Sequence, residues 1–331
     1  LPSLSWDIDP RTAVSLIGEY MYTPEIGVAQ TAYSLYGTAF PGTKGYLSRS
    51  TFLGTPSFND NRATDAMFEY QFKHEFNKYI TFVQNFRWED SWHSTQFMVL
   101  NQPISMSEIR RNPWASSGAN RTVGLDSRLM GHVDTGPVSH TWIVGSDFRQ
   151  INSTGQYQTP GAYNIVDVYN PRAYDVTPCL ATPWTCPNPA YIQNFSYFQE
   201  GVYFQDQMKW NRLSILLGGR QDWYNRTFVG GRRNYHVGGG STATLNAPNT
   251  VSQSAFTWRA GLVYNFDFGL APYFSYSSSF NPQFGTTDYL NRPFAPLTGK
   301  QFEAGLKYKV PERDILLPGS VFHIEEHHSL V

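Results

Sequence analysis

His323, Glu325, His327 and His328 stand close together near the end of the chain. Imidazole and carboxylate groups at that density invite a metal reading. Their spacing is not the His-Glu-x-x-His of a zinc hydrolase, and the stretch alternates like a strand, so an exposed strand end and no metal is expected. Charged residues also recur at alternate positions, as in Glu69, Lys73, Arg87, Glu89, Asp126, Arg128, Asp147, Arg220 and Asp222. Paired carboxylates can hydrolyse glycosides, but these sit among cations, and mutual neutralisation along a wall accounts for them better. The sequence contains no G-x-S-x-G, no H-E-x-x-H and no phosphate-binding loop, so no catalytic residue and no enzyme is expected. Cys179 and Cys186 flank the Pro-rich segment LATPWT and are too few for a zinc site. They read as a local disulfide, implying an oxidising compartment, with two unpaired loop thiols as the alternative.

These residues need a scaffold, and the period of the sequence supplies one. Between Gly201 and Trp210, Val202, Phe204, Met208 and Trp210 share one face with Asp206 among them, and Tyr203, Gln205, Gln207 and Lys209 share the other. After Asn211 and Arg212, Leu213, Ile215, Leu217 and Trp223 oppose Ser214, Gly218, Arg220 and Asp222. Side chains alternate across a strand, so this is a hairpin with an apolar and a polar face. Each arm is about a dozen residues, where soluble strands run to about five or six and a tilted membrane strand needs roughly nine to eleven.

The unit recurs along the chain. Apolar faces alternate over 3–8, 12–22, 65–76, 80–89, 122–133, 139–151, 256–266, 270–280, 301–310 and 315–324. Asp9-Pro10-Arg11, Asn77-Lys78, residues 134–138 and Asp267-Phe268-Gly269 make short turns. Long loops are expected over about 23–63, 91–121, 152–195, 226–253 and 281–299, all at the opposite end. No run of eighteen apolar residues suits a membrane helix. Charged residues are only 15% of the 331 and aromatics reach 16%, with Trp and Tyr favouring bilayer boundaries. The net charge of −1 gives no case for nucleic acid. The expected fold is all-β: a transmembrane antiparallel up-and-down β-barrel with roughly twelve strands here. A soluble sandwich or propeller would need neither such long strands nor one-sided loops. The chain runs from Leu1 to Val331, opening without Met and ending in an alternating stretch, as expected of a piece of a longer protein.

Several stretches carry a family resemblance: GVYFQDQMKW from Gly201, LGGRQDW from Leu217, FTWRAGLVYNF from Phe256, APYFSYSSSFNP from Ala271, FAPLTGKQFEAGLKY from Phe294, VGSDF from Val144 and YNP from Tyr169. In this order they resemble the barrel of TonB-dependent ferric-siderophore receptors of the hydroxamate, ferrichrome-type branch. The resemblance implies a parent barrel of about 22 strands in the Gram-negative outer membrane, with an N-terminal plug and a TonB box. Neither plug, TonB box nor C-terminal aromatic strand is seen, so residues 1–331 read as a partial barrel domain. The implied function is import of a ferric hydroxamate siderophore energised by the TonB complex. A passive porin-type channel, a receptor for another ligand, and an outer-membrane enzyme or adhesin are the alternatives.

Iron would arrive in the siderophore, so no protein-bound cofactor is implied. The partners implied are the ferric siderophore, TonB and outer-membrane lipid. By position the resemblance places a ligand-facing wall aromatic at Tyr157 and another pair near Val28–Tyr36, giving Tyr33 and Tyr36. A further pair falls on Val99 and Asn101, which are not aromatic, so Trp92 and Phe97 nearby are the substitutes.

Overall fold

The structure, a computed structural model, describes residues 1–26, 34–159, 163–172, 190–235, 241–283 and 294–329. Its strands are β1 (Ser3–Asp9), β2 (Thr12–Thr23), β3 (Asp60–Asn77), β4 (Ile80–Pro103), β5 (Glu108–Thr135), β6 (Val138–Gln158), β7 (Asn164–Asp167), β8 (Ala190–Trp210), β9 (Leu213–Tyr235), β10 (Ser241–Leu245), β11 (Asn249–Tyr264), β12 (Leu270–Asn281), β13 (Leu297–Lys309) and β14 (Leu316–His327). Among the described residues one 3-10 turn, Pro56–Phe58, is the helical exception. All described pairings between strands are antiparallel, and twelve strands follow one another in the sheet in chain order. β7 adds to β5 and β10 to β9 off that path. The roughly twelve strands expected are therefore the twelve of the path, with two short ones added.

The registers sort every side chain to one of two faces. Phe72, Gln84, Ser127, Ser146, Val202, Gln221 and Phe256 form one continuous cross-strand row. The neighbouring row holds Lys73, Val83, Arg128, Gly145, Tyr203, Arg220 and Thr257. On the first face large apolar groups stay uncovered: Trp6 is 61% exposed, Phe204 53% and Phe256 59%. An apolar band of that extent has no stable contact with water and fits a hydrocarbon environment. We call it the outer face and its opposite the inner face.

Tight connections gather at one end. Asn77 Oδ1 accepts hydrogen bonds from the backbone N–H of Tyr79 (2.8 Å) and Ile80 (3.0 Å), closing the β3–β4 turn. Asn211 takes a positive φ of 52° between β8 and β9, a conformation Asn tolerates better than most residues. Gly269 opens the β12 side of its turn at φ +93°, where a Cβ would lie 2.2 Å from the Lys309 carbonyl oxygen.

At the far end the strands run on well past the length a bilayer needs. β4 has 24 residues and β5 has 28, against the roughly nine to eleven of a membrane crossing. The long loop expected at 91–121 is instead a continuous hairpin closed by residues 104–107. Likewise the expected loops at 152–195 and 226–253 contain the upper ends of β6, β8, β9 and β11 and the whole of β7 and β10. Above the bilayer neither face meets lipid, so the apolar alternation fades while backbone pairing continues.

The buried core sits in this upper part. Leu53, Leu100, Ile109, Val166 and Val168 form one cluster, with Leu47 and Tyr169 packed against it. Arg111 is fully buried beside them. Its guanidinium donates to the carbonyls of Leu53 and Gly54 (both 2.7 Å) and Arg172 (2.6 Å), and to Asn164 Oδ1 (2.7 Å). One charge therefore satisfies four acceptors from three separate segments. Burial lowers the pKa of this guanidinium, which nevertheless stays charged at any working pH.

Candidate ligand-binding site

The inner wall divides into a lower charged girdle and an upper aromatic wall. In the girdle, Arg220 donates to both carboxylate oxygens of Asp147 (2.5 and 2.8 Å) and of Asp222 (2.7 and 2.6 Å). Arg128 pairs with Asp126 at 2.6 Å, and the Tyr203 hydroxyl donates to the same carboxylate at 2.7 Å. Gln199 adds a bond to Asp222 at 2.9 Å. Gly201 leaves the room these groups occupy, since a Cβ there would lie 2.2 Å from Arg220 Nη2. With donors and acceptors matched, the girdle holds no poised acid or base; its chemistry is hydrogen bonding and charge compensation.

Above it three rings stack. Tyr157 and Tyr191 are directly opposite in the β6–β8 register, with centroids 5.1 Å apart and planes at 15°. Trp114 lies diagonally across from Tyr157 at 5.0 Å and 17°. Arg232, opposite Tyr191 on β9, caps the row with its guanidinium 5.3 Å from the tyrosine ring. Such stacks and cation–π contacts hold the rings in place, so their edges and faces are pre-oriented toward the lumen. Beside them lies a concavity of about 710 Å³ lined by Trp114, Tyr157, His93, Phe195, Arg226 and Phe228 among others. That volume is within the range of small-molecule sites.

Of the residues the sequence offered, the structure brings Tyr157 into this stack and places Phe97 opposite Trp114, with little exposure. Trp92 points the other way: it is on the outer row of β4, opposite Thr64 and Ala119 and across the sheet from the lumen. Tyr36 belongs to the β2–β3 connection, where it makes an isolated bridge with Phe40. Tyr33, Cys179 and Cys186 lie outside the described residues. Trp114, Tyr191, Arg226 and Arg232 were missed. Tyr191 was within reach, since the odd positions Tyr191, Gln193, Phe195 and Tyr197 continue the inner row of Tyr203 without a break. On β14, Glu325 stands 3.2 Å from His323 Nε2 and 3.8 Å from His327 Nε2, on an exposed edge strand.

Comparison with known proteins places this wall. The chain is 29% identical over 328 residues to the ferrioxamine B receptor of Salmonella typhimurium strain SL1344, covering 98% of this chain and 43% of that protein. It is 27% identical over 352 residues to the ferrichrome outer membrane transporter/phage receptor of Escherichia coli K12, covering 100% of this chain and 45% of that protein. The chain thus spans less than half the length of these curated relatives. Among solved structures, the closed form of the ferric-catecholate import receptor Fiu from E. coli K12 superposes with a TM-score of 0.76 at 17% identity, over 98% of this chain and 50% of that one. FpvA of Pseudomonas aeruginosa, in complex with iron-loaded pyoverdine, gives 0.76 at 18% identity, over 98% and 41%. At those identities the superpositions establish the fold alone, an antiparallel sheet of the β-barrel kind. A family model described as TonB dependent receptor-like, beta-barrel matches residues 5–325, and the chain accordingly belongs to that family of strand-built transport receptors of the Gram-negative outer membrane.

Proposed function

We propose that this chain is the ligand-facing wall of an outer-membrane receptor that imports a ferric siderophore, with hydroxamate chelates as the substrate class. The carrying observation is the Trp114–Tyr157–Tyr191 stack beside a concavity on the inner wall, above the level where the strands would cross lipid. A ferric siderophore brings its own iron ligands. The protein then needs only flat apolar contacts and hydrogen-bond donors for the chelate's carbonyl and hydroxamate oxygens, which the rings, Gln193 and Arg226 supply. The named relatives, receptors for ferrioxamine and ferrichrome, support the hydroxamate class. No step of this function makes or breaks a covalent bond, so the protein acts as receptor and transporter without enzymatic chemistry or a resident cofactor.

In this reading residues 1–331 are part of a barrel domain, and the complete receptor adds a plug and the segment that couples to TonB. The paired girdle of Asp126, Arg128, Asp147, Arg220 and Asp222 then forms the polar surface against which a plug packs. The test is uptake of radioactive iron by iron-starved cells whose own hydroxamate receptors are deleted, with and without the full-length gene. Gene-dependent uptake of at least one ferric hydroxamate, abolished when TonB is absent, is expected. Uptake that does not depend on the gene rejects the importer reading, and uptake independent of TonB points to a passive channel.

A further inference from the structure

The wall is thin at the concavity beside the aromatic stack. One inner-face row runs through His93, Gly118, Gly155, Gln193 and Gly230, across β4, β5, β6, β8 and β9. The next inner row toward the far end carries Ser116, Tyr157 and Tyr191. The next toward the tight turns carries Asn120, Ser153 and Phe195. Two adjacent glycines therefore lie between rows that hold rings. Side chains of a strand alternate between its faces, yet residues 116–120 and 153–157 line the concavity in unbroken succession, as expected where the backbone itself is the floor. A smaller concavity on the outer side reaches the same two glycines.

The two glycines are there for different reasons. A Cβ on Gly118 would lie 2.9 Å from His93 Cε1 and 3.0 Å from the Thr154 carbonyl oxygen. Glycine at 118 thus seats the imidazole ring that forms one side of the concavity. A Cβ on Gly155 would meet, among the described residues, the carbonyl oxygens of Gln193 at 3.4 Å and Ser117 at 3.8 Å, which is ordinary contact. Gly155 does not take the positive φ that favours glycine. β6 also keeps its register with both neighbours through this residue, so no bulge asks for it. Glycine weakens a strand interior relative to alanine. Of the uses of a strand glycine, the one left at 155 is close approach of a ligand to the backbone.

We propose that Gly155 is a specificity-determining position: its bare backbone sets the depth of the site, and the ferric chelate rests one face on it. The inference rests on the siderophore reading above and refines it. The backbone groups of the floor are already paired in the ladders on both sides. The floor therefore offers flat van der Waals contact, with the Tyr157 and Phe195 rings standing beside it. Ser116, Asn120, Ser153 and Gln193 around it carry hydroxyl and amide donors suited to carbonyl and hydroxamate oxygens. A side chain at 155 would lift the chelate away from the rings and these donors together.

The experiment measures ferrichrome affinity and urea stability of the full-length receptor in detergent, unmodified and as Gly155→Ala, Gly155→Val and Gly155→Leu. Affinity is expected to fall stepwise with side-chain size, reaching about tenfold or more for Gly155→Leu. Gly155→Ala should bind more weakly than the unmodified receptor yet unfold at an equal or higher urea concentration; this variant decides where a larger one does not fold. Gly118→Ala, which crowds His93, should instead lower the urea midpoint. The control is Gly124→Val, six residues down β5 from Gly118, where a Cβ has comparable room (Phe148 O at 3.7 Å) and which does not line the concavity. Its affinity should match that of the unmodified receptor. Unchanged affinity in Gly155→Ala and Gly155→Val, a loss that only follows a lowered urea midpoint, or an equal loss in Gly124→Val overturns the proposal and leaves the siderophore reading intact. Failure of the unmodified receptor to bind either ferrichrome or ferrioxamine B overturns the siderophore reading itself.

Discussion

Gly201→Ala puts a single methyl group into a crowded point of the inner wall. The new Cβ would lie 2.2 Å from Nη2 and 2.6 Å from Cζ of Arg220, and 2.9 Å from Asp222 Oδ1. A side-chain tip can usually move aside, but this one is fixed by bonds from Nε, Nη1 and Nη2 to two carboxylates. Retreat of Nη2 breaks its bonds to Asp147 Oδ1 (2.8 Å) and Asp222 Oδ1 (2.6 Å). Charged hydrogen bonds contribute about 1.5 kcal/mol each at the lower end of their range, so the loss is about 3 kcal/mol. Replacing glycine in a strand returns up to about 1 kcal/mol, leaving a net destabilisation of about 2 kcal/mol. Urea unfolding of the full-length receptor in detergent, followed by tryptophan fluorescence, reads this as a lower midpoint at unchanged slope. The specific check is a double-mutant cycle: in an Arg220→Ala background the same Gly201→Ala change should cost little. An equal cost in both backgrounds would refute the steric account and leave the loss to backbone conformation alone.

Further consequences can be measured on other parts of the wall. Arg111→Met removes the charge that bridges three segments and leaves the carbonyls of Leu53, Gly54 and Arg172 without their donor. It should raise hydrogen exchange and protease cutting around residues 47–58, with a local loss of about 3 kcal/mol or more, while leaving exchange in β8 and β9 near Trp210 unchanged, because the buried node acts locally. Phe204→Arg, on the outer face, should destabilise the barrel in lipid by about 2–4 kcal/mol if its position is near the bilayer midplane. Ser275→Lys, on the inner face and opposite Glu303, should change stability by less than about 0.5 kcal/mol. Folding into lipid vesicles at a series of urea concentrations distinguishes the two, and equal penalties would refute the assignment of faces.

The part of the fold that contacts lipid was legible in the sequence because lipid imposes a rule on every second residue. Val202, Phe204, Met208 and Trp210 alternate with Tyr203, Gln205, Gln207 and Lys209, and the registers place them on opposite faces. The rule lapses above the bilayer. From Ser91 to Pro103 both faces mix polar and apolar groups: His93, Thr95 and Phe97 on one, Trp92, Gln96 and Met98 on the other. These strands exist because their backbones pair, a contact that leaves little trace in side-chain type. Trp114 falls in that silent region, whereas Tyr157 was chosen through its distance from Tyr169-Asn170-Pro171, and the two rings stack in the structure. Trp92 shows the cost of choosing aromatics by proximity alone, since one residue decides which face a strand side chain occupies.

In the proposed function the stacked rings of the upper inner wall hold the ferric chelate. The direct measurement is the dissociation constant of the full-length receptor for a neutral ferric hydroxamate, ferrichrome, compared with that of Tyr157→Ala and of Phe204→Ala as an outer-face control. Loss of an aromatic anchor in a desolvated site weakens binding by about 1–3 kcal/mol. Tyr157→Ala is therefore predicted to raise the dissociation constant by about 5- to 150-fold, with Phe204→Ala close to the unmodified receptor. Unchanged affinity in Tyr157→Ala, with the barrel still folded, would contradict the account.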